Sequence, residues 1–477
     1  MSTIAHPLVI QGGMGVAVSN WRLARAVSSV GQLGVVSGTA LDTVLIRRLQ
    51  DGDPDGTTRR ALDQLPIPGV AREIVRRYFI PGGRASGTPY RVLPMYKQTV
   101  SALREQVTIA ANFVEVYLAK EGHGGEVGIN LLTKIQMPTL ASIYGAMLAG
   151  VNVVLMGAGI PREIPGALDA LARGEIATLR FDVEGQPADE PLTLRFDPAD
   201  HGGALVPLSR PRFYAIVSAH ALATTLARKA TGRVDGFIVE GATAGGHNAP
   251  PRGAMQLNER GEPVYGARDV ADLSAMRALG VPFWLAGGVG TPEALRSARA
   301  EGAAGIQVGT AFAFADESGF TPTIKRQVLA DLADGEVSVF TDPRASPTGF
   351  PFKIVDAPSL VQADGTRERI CDLGYLRTAA RRADGRIVYR CAAAPVREFV
   401  AAGGTAEETE GRKCLCNGLA AAVGMGQVRR DGSVELPLVT SGDAVLELTA
   451  VAQGRTSYTA RDVVDFLITA PRSVHPA

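Results

Sequence analysis

The chain has little charge of one sign. Lys and Arg number 49 against 48 Asp and Glu, leaving a formal charge of +1 over 477 residues. Nucleic-acid binding rests on a concentrated basic excess, and none is present overall. Cysteine is absent from the first 370 residues, which confines thiol chemistry to the last quarter of the chain. A membrane-length apolar run is also missing. The longest uncharged stretch, Ile135 to Pro161, is divided by Pro138, Gly145, Gly150, Gly157 and Gly159, so it reads as a short helix and a short strand rather than a span. The N-terminus shows neither a basic region nor an apolar one of signal-peptide type. A soluble, cytoplasmic protein is the expectation, with no membrane partner.

What is abundant points elsewhere. Hydrophobic residues make up 46% and charged residues 20% of the chain, enough for a large core and too apolar for a disordered chain. Fifty-five glycines exceed the usual share of about 7%, which suits tight loops or backbone lying against a ligand. Eight short apolar runs recur with helical segments between them: Leu8–Ile10, Leu33–Ser37, Glu126–Asn130, Val151–Met156, Tyr214–Ser218, Asp235–Glu240, Phe283–Ala286 and Ala304–Val308. Continuous apolar strands of this kind belong to a parallel sheet covered on both faces. Helical periodicity appears at Trp21–Val30, Ala219–Thr231, Val270–Leu279 and Pro292–Glu301. Eight strands with crossover helices predict an α/β fold, a (β/α)8 TIM barrel, over 1–320; a doubly wound sheet is the alternative. Insertions are expected near 51–121 and, as a hairpin, near 181–211. The strand rhythm stops after Phe320, so 321–477 is expected to form a C-terminal, mostly helical appendage.

Active sites of such barrels lie at the C-terminal strand ends, with phosphate groups often bound after strands seven and eight. Gly287-Gly288-Val289-Gly290 follows the seventh run and leads into a helix capped by Thr291, while Gly309-Thr310 closes the eighth. Glycine lets backbone approach a phosphate, and a helix N-terminus offers free N–H groups. The sixth run ends in Glu240 and leads through Gly245-Gly246 to His247, one of only six histidines. A histidine near its free pKa is the usual general acid or base at neutral pH. His220 is a weaker second candidate, and His123 belongs at the opposite rim. Gln11-Gly12-Gly13-Met14 ends the first run, where glycines would let a flat ring lie on the backbone with Met14 at its edge. Asn130 ends the third run and could hydrogen-bond a heterocycle.

Five of these segments, Pro7-Leu8-Val9-Ile10-Gln11-Gly12-Gly13-Met14, Gly128-Ile129-Asn130, Ala244-Gly245-Gly246-His247, Ala286-Gly287-Gly288-Val289 and Gln307-Val308-Gly309-Thr310, resemble the nitronate monooxygenase family in order and spacing. The resemblance runs over roughly residues 5 to 320. It implies an FMN-dependent barrel that oxidises alkyl nitronates with O2 to a carbonyl compound and nitrite. Gln11, Gly12, Gly13, Met14, Asn130, Glu240, Gly245 and Gly246 would then surround the cofactor, and Gly287, Gly288, Gly309 and Thr310 its phosphate. His247 would stand beside the substrate. Two departures stand out: Gly12-Gly13 replaces the usual Ala-Pro, and Glu240-Gly241-Ala242-Thr243 replaces Gln-Gly-x-Glu. An anionic Glu240 would disfavour a reduced, anionic flavin unless it is neutral or turned away. Flavin barrels that reduce enoyl thioesters with NAD(P)H share the histidine region, so enoyl-thioester reduction is the alternative function. The partners implied are a small-molecule substrate and O2, with oligomeric state left open.

The four cysteines are Cys371, Cys391, Cys414 and Cys416. Four thiolates can hold zinc or an iron–sulfur cluster, yet only Cys414-Leu415-Cys416 is a close pair and the common C-x2-C spacing is absent. No metal ligand is assigned from the sequence; reduced or redox-active thiols are the leading reading. The dense loop Asp342–Phe352 is expected to fold back over the barrel mouth.

Overall fold

The computed structural model describes residues 6–202, 207–362 and 367–468. Eight parallel strands form one sheet: β1 (Val9–Gln11), β2 (Gly34–Ser37), β3 (Val127–Leu132), β4 (Val153–Gly157), β5 (Arg212–Val217), β6 (Gly236–Glu240), β7 (Phe283–Ala286) and β8 (Gly305–Val308). Each falls on one of the eight predicted runs. The neighbour order is β1-β8-β7-β6-β5-β4-β3-β2, and the two ends meet: Leu33 N–H donates to Val9 O at 3.2 Å and Gln11 N–H to Leu33 O at 2.9 Å. The sheet therefore closes into the expected (β/α)8 barrel.

Period-two alternation along the strands divides the residues between two cores. Ile10, Val35, Leu155, Ile238, Trp284 and Tyr214 fill the barrel interior; the opposite faces pack under the surrounding helices. Trp284 and Tyr214 stack with centroids 4.8 Å apart, and Trp284 donates its indole N–H to Pro7 O at 2.8 Å. A Cβ on Gly236 would lie 2.7 Å from the Tyr214 ring, so that glycine makes the room the tyrosine fills. These large rings plug the lower barrel and leave free space only at the C-terminal strand ends.

The helices start where the sequence signals placed them. Thr291 caps Pro292–Ala300 by accepting the Ala294 N–H, and the uncharged stretch resolves into a helix, Thr139–Leu148, and strand β4. Among the described residues no helix is long and apolar enough to cross a membrane. The second insertion is a hairpin of Ala177–Phe181 with Leu192–Phe196; its residues 203–206 lie outside those described.

Beyond residue 320 helices predominate, as expected, but two antiparallel pairs accompany them: β9 (Ser338–Asp342) with β10 (Phe352–Asp356), and β11 (Thr378–Arg381) with β12 (Ile387–Arg390). These strands are short and carry polar residues on both faces, which hid them. β11 also pairs with Val183–Glu184 of the insertion. The region shares a hydrophobic core with the barrel and is bolted to it by buried polar contacts. Tyr375 bonds Thr43 at 2.7 Å and also donates to Asp42. Asp42 pairs in turn with Arg104 at 2.6 Å. Tyr458 donates to Ala311 O at 2.8 Å.

Trp284→Ala removes the largest fully buried side chain from the barrel interior. It should lower unfolding stability by about 3–5 kcal/mol in a urea titration; a loss under about 1 kcal/mol would contradict this packing.

Candidate functional site

A cavity of about 230 Å³ opens at the C-terminal ends of the strands. Alternation along each strand brings Gly12, Asn130, Ile216, Glu240, Ala286 and Gln307 to its floor. Of the residues singled out from the sequence, Gly12, Gly13, Met14, Asn130, Glu240, Gly245, Gly246, His247, Gly287, Gly288, Gly309 and Thr310 all line this one cavity. Gln11 does not. It is fully buried, and its amide is used within the fold, donating to Ser19 Oγ at 2.9 Å and accepting from Val35 N–H at 3.0 Å. That inward tie between β1 and β2 leaves it nothing to offer a ligand. His220 is also elsewhere: its Nδ1 accepts from Asp272 N–H at 3.2 Å. His123 sits at the far rim as expected, its ring between Ala119 O and Gly125 N–H.

The loop after β7 adopts a conformation open chiefly to glycine. Gly287 and Gly288 have φ of +91° and +65°, and a Cβ on either would press within about 3 Å of Thr243 or the backbone of Ala244 and Gly241. The exposed backbone makes a concave wall. Thr310 closes it from β8. Its hydroxyl accepts from Gly442 N–H at 3.1 Å and Ser441 O–H at 3.3 Å, which leaves its own proton to donate.

On the opposite wall, Gly13 and Asn130 need one another. A Cβ at position 13 would lie 2.3 Å from the Asn130 Cβ, and Asn130 Nδ2 donates to Gly13 O at 3.0 Å. Two buried carbonyl-type oxygens, Asn130 Oδ1 and Gln307 Oε1, have no partner among the described residues, although both residues line the cavity. Buried acceptors of this kind normally carry a hydrogen bond, so the pair calls for a ligand with donors. Gln307 was visible in the sequence only as part of the β8 motif; its inward direction supplies the reason.

His247 is fixed from outside the barrel. Its Nε2 lies 2.7 Å from Ser346 Oγ, which is 2.8 Å from Thr348 Oγ1, and its ring meets Phe352 edge-on at 4.9 Å. The loop 342–352 thus does fold over the mouth. Burial lowers the His247 pKa to about 4, against the sequence expectation of a group near its free value. Charging the ring in this apolar setting costs solvation that nothing nearby restores. Burial also pushes Glu240 up to about 7, so the carboxyl is about half protonated at neutral pH.

The appendage supplies the roof. Gly246 N–H donates to Thr440 Oγ1 at 3.1 Å, Lys353 N–H to Gly246 O at 3.0 Å and Asp443 N–H to Thr243 O at 3.1 Å. Leu376, Leu415, Leu419, Leu448 and Val451 form its apolar surface. Thr440, Ser441 and Gly442 were missed in the sequence because single small polar residues in a remote segment carry no spacing signal, whereas Ser346 lies in the loop 342–352 that the sequence singled out. Thr348 and Phe352 belong to the loop that was expected to cover the mouth.

The depressed His247 pKa has a sign that can be checked. The unfolded chain takes up the proton at about 6.5 and the folded one only near 4, so this group removes stability as pH falls from about 6.5 towards 4. NMR of ring-labelled histidine should show His247 titrating near 4; a midpoint at or above 6.5 would contradict the burial account.

Residues 206–344 match the family model described as nitronate monooxygenase. A probable nitronate monooxygenase of Bacillus subtilis (strain 168) is 35% identical over 106 residues, 22% of this chain and 29% of that protein, so the match spans under a third of the relative's length. Similar solved structures include FabK from Thermotoga maritima, with 16% identity over 97% of this chain and 92% of that one and a TM-score of 0.45. A nitroalkane oxidase from Streptomyces ansochromogenes has 16% identity over 98% and 96%, with a TM-score of 0.44. The enoyl reductase domain of MlnA from Bacillus amyloliquefaciens has 12% identity over 96% and 92%, with a TM-score of 0.46. The matched segment runs from β5 through β9 and holds His247 and both glycine loops of the cavity.

Proposed function

We propose that the chain is an FMN-dependent oxidoreductase that converts alkyl nitronates and O2 to a carbonyl compound and nitrite. The observation that carries this reading is one cavity uniting the glycine cradle of β7 and β8, the unpartnered Asn130 and Gln307 oxygens and a buried histidine. The residues fit a flavin mononucleotide. Gly287, Gly288, Gly309 and the Thr310 hydroxyl would hold a phosphate through N–H and O–H donors. Gly12, Gly13 and Met14 would flank a ring, and Asn130 and Gln307 would accept from its N–H groups. FMN, when bound, supplies the relay of electrons from nitronate to O2.

The chain's own residues bind and orient the substrate. With Nε2 held by Ser346, His247 keeps Nδ1 without a partner among the described residues. In the neutral ring that nitrogen can take the α-proton of a nitroalkane, whereas a nitronate would be met at the other tautomer's N–H. An anionic ligand beside the ring stabilises the imidazolium and draws its pKa upward. In its protonated form Glu240 leaves room for negative charge on a reduced ring, which the carboxylate form would oppose. The apolar roof excludes water from the reacting carbon.

The apolar roof of Leu376, Leu415, Leu419, Leu448 and Val451 favours as a second reading an NAD(P)H-dependent reductase of enoyl thioesters, whose acyl chain it could cover.

Three outcomes test the first reading. His247→Asn should retain flavin and lose turnover with a nitronate by about 10²–10⁴-fold; unchanged turnover removes the assignment. Gly288→Val, which needs a strained φ and meets Thr243, should be purified with little flavin. Turnover should fall as pH rises through about 7 while Glu240 ionises, and Glu240→Gln should flatten that limb; an identical profile in both proteins would exclude a role for the carboxyl.

A further inference from the structure

The four cysteines, scattered over 46 positions, converge in the folded chain. All four are free and line one small cavity together with Pro347, Leu376 and Leu415. They arrive on three separate pieces of chain. Cys371 precedes β11, Cys391 follows β12, and Cys414 and Cys416 open the helix Leu415–Ala422, whose N-terminal dipole favours negative sulfur.

Of the four sulfurs, Cys414 Sγ accepts from the Asn417 side-chain amide at 3.5 Å and lies 3.9 Å from Ile370 O, to which its thiol donates. Two guanidinium groups face them: Arg377 attracts Cys371, Cys391 and Cys416, and Arg367 attracts Cys414 while also pairing with Glu435.

A single zinc ion would draw all four sulfurs to within about 2.3 Å of one point. Among the described residues no three His, Cys, Asp or Glu groups are arranged to hold one ion; the thiols line one small cavity instead. We propose that Cys371, Cys391, Cys414 and Cys416 ligate a [4Fe–4S] cluster set between the appendage and the roof of the main cavity. Four thiolates around a core of charge about +2 leave about −2, which Arg367 and Arg377 offset. Leu376, Leu415 and Cys416 line both cavities, so the cluster adjoins the proposed flavin site and shares Cys416 with its lining.

The test uses the full chain, produced with iron supplied and purified anaerobically, with iron, acid-labile sulfide and zinc measured per chain. About four irons and four sulfides, a broad absorption bleached by dithionite and a paramagnetic reduced state by EPR are expected. Cys371→Ser and Cys416→Ser should each lose at least about half of that iron. Fewer than about one iron per chain after anaerobic reconstitution with ferrous iron and sulfide overturns the proposal, as does stoichiometric zinc. So do four thiols that react in the native, metal-free protein. Because the wild-type metal content decides, a variant that fails to fold leaves the result intact, and flavin content measured on the same sample keeps this outcome separate from the flavin reading.

Discussion

The site depends on how one loop, residues 241–248, is clamped between the barrel and the appendage. Gly246 is held on both sides, its N–H by Thr440 and its carbonyl by the Lys353 N–H. Asn248 N–H donates to Pro351 O at 2.9 Å. Lys353 is itself almost wholly buried, with its ammonium on Thr341 and Asp443, both at 2.8 Å. The Asp443 side chain of that pair is partly exposed, so the clamp rests chiefly on the backbone contacts and on the buried Lys353–Thr341 bond. Gly245 shows how tight it is, since a Cβ there would lie 2.6 Å from Gly442 N. A barrel without the appendage would possess the same histidine but neither its partner Ser346 nor its apolar cover.

The chemistry follows from that closure. Burial moves two of the ionisable groups lining the cavity in opposite directions, His247 down to about 4 and Glu240 up to about 7. At neutral pH the histidine is uncharged and the Glu240 carboxyl is close to its midpoint, and Glu447 adds a second carboxyl to the lining. The unpartnered Asn130 and Gln307 oxygens call for a ligand that brings donors. The floor and the glycine cradle supply position, and the roof supplies a low dielectric in which small charges act strongly.

Much of this was legible in the sequence because it rests on local patterns. Strands covered on both faces are continuous apolar runs, and all eight barrel strands were found that way. Glycines at strand ends mark where backbone must face open space, which located twelve of the cavity residues. Gln11 was misread because it lies one position before those glycines, where alternation turns a side chain away from the cavity and into the tie with Ser19 and Val35. The His247 pKa was misread for a different reason. Its value is set by Phe352 and its partner Ser346, 99 positions away, and residue type says nothing about that distance. The small strands of the appendage, such as the half-buried Ile387–Arg390, lack a clean apolar face. The cysteines gave clustering along the chain but not convergence in space, which required two hairpin ends and a helix start to meet.

Following the visible spectrum of the purified protein under anaerobic conditions, first with NADPH or NADH and then with an alkyl nitronate, tests the central claim most directly. The account predicts flavin bands that persist through the nucleotide additions and bleach on adding the nitronate. Rapid bleaching by NADPH or NADH with no response to nitronate would contradict it in favour of the reductase, and the absence of any flavin would overturn the reading of the cavity itself.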